Sequence, residues 1–275
     1  IKNSFIHDIR NVGEPDIDFK KLVDWVTNTV DAESASIPPL YEKHPNVDYY
    51  SETAKFINEH TLQVGKLKLS AKKIFLPVGA RPNIPLIDGL NETPYLTSKE
   101  ALRLTDRPES MIIIGGGYIA TELGFFFSAL GTQVTFILRS RFLREMDTEV
   151  SDLFNEIFSK QVNVIQGTPQ NIRFDKNFKL TMQDSKEVSA QTCLVCTGIT
   201  PNSDLLNLKN AGVHTDERGF IKVNNCLQTS QSHIWAFGDV IGNYAFRHSA
   251  NFEGDYLFNH VFKGKSDPIS YPPMP

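Results

Sequence analysis

Met111-Ile-Ile-Ile-Gly-Gly-Gly-Tyr-Ile-Ala-Thr-Glu-Leu-Gly124 is the stretch on which the fold turns. Its first four residues make a short apolar run of the kind that fills a buried parallel strand. Three glycines follow at once, and the sequence then continues at helical spacing. In this order of strand, glycine turn and helix, a G-x-G-x-x-G/A match points to a bound dinucleotide. Gly115 permits the tight turn and Gly117 lets a pyrophosphate approach the backbone. Ala120, where a third glycine is common, keeps the helix close to its strand. The helix N-terminus then offers free N–H groups and a positive dipole end to the phosphates. Ile119, Leu123, Phe126 and Leu130 are spaced to pack one helical face on the sheet, and Val134 to Leu138 supplies the next strand.

The surrounding chain has 275 residues, room for two domains at roughly 100–200 residues each. Its net charge of −4 comes with no dense Lys/Arg run, so there is no electrostatic case for nucleic acid or an anionic membrane. The window 111–131 is apolar, but Glu122 and the glycine cluster argue against a membrane span. Ile1 to Arg10 has no apolar core of a signal peptide. Three cysteines cannot form a full disulfide set, which fits a reducing compartment. A cytoplasmic protein is expected, with no metal site, no nucleic-acid partner and no membrane contact.

Before the central stretch, Glu14 to Asp18 with Pro15 reads as a helix start, with Leu22, Trp25, Val26 and Thr29 on one face. Residues 31–46 hold three prolines and read as a loop. Broken alternation from Val47 to Leu69 predicts two or three short antiparallel strands, and Ile74 to Val78 a further strand stopped by Gly79. Thr97-Ser98-Lys99-Glu100 has the pattern of a capping box. After the central stretch, Asp147 to Phe158 is amphipathic, with Val150, Leu153, Phe154, Ile157 and Phe158 on one side. Val162 to Ile165 is a strand, residues 171–190 an antiparallel meander, and Thr192 to Thr197 a strand ending at Gly198. Ile234 to Phe237 runs as a strand into Gly238-Asp239, helical spacing resumes around Ala250 to Phe262, and Tyr271 to Pro275 reads as mid-linker.

Four ordered segments carry a family resemblance: AKKIFLPVGARPNIP (71–85), TSKEALRLTDRPESMIIIGGGYIATELG (97–124), CLVCTGITPN (193–202) and HIWAFGDV (233–240). In this order they resemble the pyridine nucleotide–disulfide oxidoreductases, which include glutathione reductase, dihydrolipoamide dehydrogenase, mycothione reductase and mercuric reductase. The resemblance implies an α/β chain with two three-layer, Rossmann-like domains and antiparallel meanders. It implies a flavin domain split between residues 1–91 and 215–265, a nicotinamide domain over 92–214, and a linker from 266 to 275. It also implies FAD as cofactor. Asp239 matches the acid that hydrogen-bonds the ribityl chain, and Ala54 the place where backbone meets adenine. Gly79 falls at the strand crossing, and Arg247-His248 at a turn whose backbone meets the flavin ring. Tyr118, Ile119 and Glu122 match residues near the nicotinamide, and Gly198 the T-G-x-x-P-N segment.

The chain also departs from the family. Pro77-Val78-Gly79-Ala80 replaces A-T-G-S, which removes a hydroxyl and one strand N–H. The family's first glycine fingerprint, its C-x4-C redox disulfide and its C-terminal interface domain with a His-Glu pair have no match. The chain is therefore expected to be an interior piece of a longer polypeptide. It would hold no catalytic residue of its own, and dimerisation would run through the missing C-terminal domain. Cys193-x-x-Cys196 has redox spacing but lies in an apolar strand, where residues three apart face opposite ways, so both thiols read as structural. Cys226 is a lone thiol.

At the end of the second strand of the central unit, an acid would hold a ribose 2′-hydroxyl and an arginine would suit a 2′-phosphate. Arg139 stands there, with Arg141 and Arg144 nearby and no acid before Glu145. NADPH is expected ahead of NADH, with a small disulfide or dithiol of the dihydrolipoamide or mycothione type as substrate. The alternatives are a non-catalytic nucleotide-binding fragment and a family member that reduces a metal ion or a quinone.

Overall fold

A computed structural model describes residues 17–272. The expected helix start at Glu14 to Asp18 and the final linker residues lie partly outside that range. In chain order, helix α1 (Phe19–Glu42) leads into strands β1 (Ala54–Asn58), β2 (Thr61–Val64), β3 (Leu67–Ser70), β4 (Ile74–Leu76) and β5 (Ala80–Pro82). Helix α2 (Ser98–Ala101), β6 (Ser110–Ile114), α3 (Tyr118–Ala129), β7 (Gln133–Leu138), α4 (Thr148–Phe158) and β8 (Asn163–Gln166) form the central run. Strands β9 (Pro169–Asp175), β10 (Asn177–Met182), β11 (Glu187–Ala190), β12 (Thr192–Val195) and β13 (Ile199–Pro201) follow. Helix α5 (Leu208–Ala211), β14 (Ile234–Ala236) and α6 (Arg247–Lys263) complete the order.

The chain divides into two compact units. One joins the described residues as far as Lys43 to Pro82–Gly198, and the other joins His44–Arg81 to the residues from Ile199 onward. The chain crosses between the units after Lys43, after Arg81 and after Gly198, so α1, expected in the flavin domain, belongs to the first unit, and Leu206, Leu208 and Ala211, expected in the nicotinamide domain, share a core with Phe56 and Ile74 in the second.

In the first unit a parallel sheet runs in the order β12-β6-β7-β8. Alternate residues of each strand serve opposite faces. Met111, Ile113, Val134, Phe136 and Leu194 meet the helices, while Ile112, Ile114, Ile137, Cys193 and Val195 meet the meander β11-β10-β9. Helix, parallel sheet and antiparallel sheet make the three layers. In the second unit β14 pairs in parallel with β4, and a three-stranded antiparallel sheet runs β1-β2-β3. Phe56, Ile74, Leu76, Ile234, Ala236, Val240 and Leu257 share its core.

Several local readings are corrected. The proline-bearing stretch after residue 30 is helical to Glu42, with Pro38 and Pro39 inside α1. The two prolines leave the Ser34 and Ala35 carbonyls without helical donors, but both residues are exposed, and beyond them Lys43 N–H still reaches the Pro39 carbonyl at 3.3 Å. Its buried residues are Phe19 and Val23, while Trp25 is 68% exposed, since only the first turns meet Phe126 and Phe127. On α4, Phe158 and Ser151 are buried and Val150, Leu153 and Ile157 are exposed. On α3 the buried face is Ala120, Leu123, Gly124 and Phe127, and Ile119 is exposed. Each packed face is rotated from the one the apolar letters suggest. The capping box at Thr97 and Glu100 forms as expected.

Candidate functional site

The glycine turn of the first unit is built from both of its ends. Gly115 has φ +122°, and a Cβ there would lie 2.1 Å from the Cys196 carbonyl oxygen. Only glycine lets β6 turn beside the end of β12. Gly117 is the N-cap of α3, and no side chain caps it. A Cβ on Gly117 would meet nothing within 4 Å, so open space lies over this backbone. The N-cap thus contributes no side-chain acceptor of its own, and the dipole end of α3 is positive. Ala120 is fully buried, but closer packing occurs one turn later: a Cβ on Gly124 would lie 2.2 Å from Phe136 Cζ. Gly124 is the close-contact glycine that the motif reading passed over; the next-turn spacing from Ala120 was its only signal.

Around this turn, Tyr118 and Ile119 are 38% and 44% exposed, and Glu122 is exposed beside them on α3. The Tyr118 hydroxyl donates to Met146 Sδ at 2.7 Å, which ties the ring to the loop after β7. The same loop donates Leu143 N–H to the Gly116 carbonyl at 2.8 Å. Arg139 follows the last residue of β7, exposed, and no ion pair among the described residues engages it. Arg141 pairs with Asp152, and Arg144 with Glu145 at 2.8 Å. Of the three arginines, Arg139 is the guanidinium left for a ligand. Gly198, φ +103°, lies in the same unit at the end of the segment after β12, with nothing within 4 Å of its Cβ position. The uncapped helix end, the open glycine and the unpaired arginine fit a dinucleotide phosphate.

The second unit holds a cleft of about 290 Å³ lined by Pro77, Gly79, Phe237, Gly238, Asp239 and Arg247, among others. Gly79 thus meets Asp239 and Arg247 from a segment distant in the chain. His248 is exposed in the first turn of α6 and Ala54 lies in β1; neither lines the cleft. Asp239 is half-buried, and burial pushes its carboxyl above the usual range. No hydrogen bond among the described residues engages that carboxylate, so it is an acceptor waiting for a donor, which fits a sugar hydroxyl. Arg81 is engaged structurally, with a two-pronged contact to Asp204 at 2.9 and 2.6 Å.

Cys193 in β12 is buried, and Cys196 just after it is half-buried. Cys193 faces the meander core and Cys196 the helical one. Burial pushes both thiols up to about 12, so neither supplies thiolate at neutral pH. No group of three or more His, Cys, Asp or Glu among the described residues could hold a metal ion, and no helix there is long and apolar enough to cross a membrane.

The profile of the family described as pyridine nucleotide-disulphide oxidoreductase matches residues 7–254. The chain belongs to that family. Among relatives of this oxidoreductase chain, the mercuric reductase of Staphylococcus aureus is 38% identical over 216 residues, covering 76% of this chain and 39% of that protein. The dihydrolipoyl dehydrogenase of Chlorobaculum parvum is 35% identical over 217 residues, 75% of this chain and 46% of that one. The solved structure of the HOCl-induced flavoprotein disulfide reductase RclA from Escherichia coli aligns with a TM-score of 0.85 at 27% identity. That alignment covers 92% of this chain and 59% of the other. This pyridine nucleotide-disulphide oxidoreductase chain therefore spans about half the length of the proteins it matches, and its α/β fold of Rossmann-like units is theirs.

Proposed function

We propose that the whole protein passes reducing equivalents from NADPH, in preference to NADH, through FAD to a small disulfide. The observation that carries the choice of nucleotide is Arg139, exposed at the end of β7 and free of ion pairs among the described residues. A guanidinium fork binds phosphate oxygens in pairs, whereas a 2′-hydroxyl would call for an acid at this place. The N–H groups of α3 and the bare backbone of Gly117 hold the pyrophosphate. Tyr118, Ile119 and Glu122 are the exposed side chains nearest that helix end, set to flank the nicotinamide.

In the second unit Asp239 accepts from the ribityl hydroxyls, while Gly79 and Arg247 flank the same cleft. His248 and Ala54, which do not line the cleft, contribute to the flavin by backbone, as the family resemblance implies. When bound, FAD supplies the hydride acceptor and the means to pass electrons on singly or in pairs. The residues here bind and orient; the sulfur chemistry belongs to a cysteine pair outside this chain, and dimerisation to a further domain. A reducing compartment, the cytoplasm, suits three free cysteines.

A second reading, reduction of a metal ion, is favoured by the mercuric reductase relative. The test is kcat/KM for NADPH and NADH in the whole protein and in Arg139→Glu. Loss of a charge-assisted contact worth about 1.5–3 kcal/mol lowers the NADPH value by about 10–100-fold. An NADH preference in the parent would sink the nucleotide assignment. Turnover with lipoamide and mycothiol-type disulfides against Hg(II) separates the two substrate readings.

A further inference from the structure

Behind the cleft of the second unit, one charged side chain is sealed from solvent. Glu253 on α6 is 1% exposed. Its Oε2 accepts the Gly238 N–H at 2.6 Å, and its Oε1 accepts the Tyr271 hydroxyl at 2.6 Å. A buried carboxylate is unfavourable unless donors satisfy it, and here both oxygens are satisfied from outside their own helix. Burial pushes the Glu253 carboxyl up, the two donors pull it back, and nearby Asp239 raises it again.

The placement of those donors matters. Gly238 has φ +75° and immediately precedes Asp239, the unengaged acceptor of the cleft. Tyr271 lies in the segment that folds back after α6. That segment is held by Ile269 N–H to the Asn225 carbonyl at 2.8 Å and by the Tyr256 hydroxyl to the Asp267 carbonyl at 2.8 Å. The Tyr271 ring sits 5.0 Å from Tyr244 and 5.8 Å from Phe252, and Asn243 Nδ2 donates to its hydroxyl at 3.3 Å. A side chain needed only to fill this space would be apolar; this one fixes a single backbone amide beside the cleft.

We infer that Glu253 is a positioning residue for the flavin site, clamping the Gly238 amide so that the turn presents Asp239, with Tyr271 holding the carboxylate in register. The functional half of this inference rests on the FAD reading above; the clamp itself does not. Glu253→Gln keeps an oxygen for Gly238 and an amide that can donate to Tyr271, so it conserves the clamp. Glu253→Ala and Tyr271→Phe do not.

Two readouts on the whole protein test it: hydrogen exchange at the Gly238 amide without flavin, and FAD affinity. In Glu253→Ala the amide exchanges about 10–100-fold faster and FAD binds about tenfold or more weakly, while Glu253→Gln stays within about threefold of the parent in both. If Glu253→Ala does not fold, Tyr271→Phe carries the test, with faster exchange and weaker FAD binding expected. Unchanged Gly238 exchange, or a Glu253→Gln as impaired as Glu253→Ala, overturns the clamp. Faster exchange with FAD binding as tight as the parent's overturns the positioning role. A parent that shows the clamp but takes up no FAD overturns the flavin reading and leaves the clamp standing.

Discussion

Single alanines at Gly115, Gly117 and Gly124 separate a glycine needed by the fold from one needed by a ligand. At Gly115 the new Cβ would sit 2.1 Å from a backbone oxygen that cannot swing aside, at φ +122°. Strain and overpacking together put the cost at about 3–5 kcal/mol, a large share of the roughly 5–15 kcal/mol that holds a domain. At Gly124 the Cβ would press on Phe136, whose ring is wedged edge-on against Phe142 at 4.8 Å and Phe158 at 5.7 Å. Overpacking of about 1–3 kcal/mol is offset there by the roughly 1 kcal/mol that alanine gains over glycine within a helix. At Gly117 nothing lies within 4 Å, so stability shifts by less than about 1 kcal/mol. The same methyl occupies the place of the pyrophosphate, and NADPH affinity falls at least about tenfold, or roughly 1.4 kcal/mol. Thermal melts paired with NADPH titration read both effects. The expected order of melting temperature is parent, Gly117→Ala, Gly124→Ala, Gly115→Ala, with Gly117→Ala alone folded yet weak in binding. A Gly117→Ala protein that binds NADPH like the parent would refute the assignment of that backbone to phosphate.

Three further outcomes are expected. Asp239 is raised by burial above its ordinary value of 3.8, so its ionised form costs stability at neutral pH and not below the unfolded value. Asp239→Asn should therefore melt higher than the parent near pH 7, lose that advantage as pH falls through the raised value, and bind FAD more weakly, as melts and FAD titration across pH would show. Cys193, buried and pushed up to about 12, should resist alkylation in the native protein, and Cys196→Ala should keep the parent's turnover; rapid modification of Cys193 in a mass-spectrometric time course would contradict its burial. Arg81→Ala should lower stability by no more than about 1 kcal/mol in a denaturant melt, because its pair with Asp204 is exposed on both sides, 43% and 53%.

The central stretch was readable because its physics is local. A strand, a turn that only glycine can make and a helix follow one another within fifteen or so residues, a span that depends little on the rest of the chain. The same holds for the Thr97–Glu100 capping box and for the meander β9–β11, where alternation continues through Lys179, Leu180 and Thr181. Faces of helices were not readable to the same degree. Ile119, Val150 and Leu153 are apolar and exposed, and which side of a helix is buried depends on the partner element, not on the helix alone. Pro38-Pro39 suggested a loop because propensity argues against an interior proline, but the Ser34 and Ala35 carbonyls that lose their helical donors belong to exposed residues. Of the residues proposed for the site, Gly115, Gly117 and Arg139 come from spacing, and Asp239 from its motif. Glu253 was not legible, since its value depends on Gly238 and Tyr271 meeting it from either side.

The most direct test of the functional reading is flavin reduction. The whole protein, loaded with FAD and mixed anaerobically with each nucleotide in turn, should lose its oxidised-flavin absorbance with NADPH and do so faster than with NADH. A protein that takes up no FAD, or whose oxidised flavin persists with both nucleotides, would contradict it.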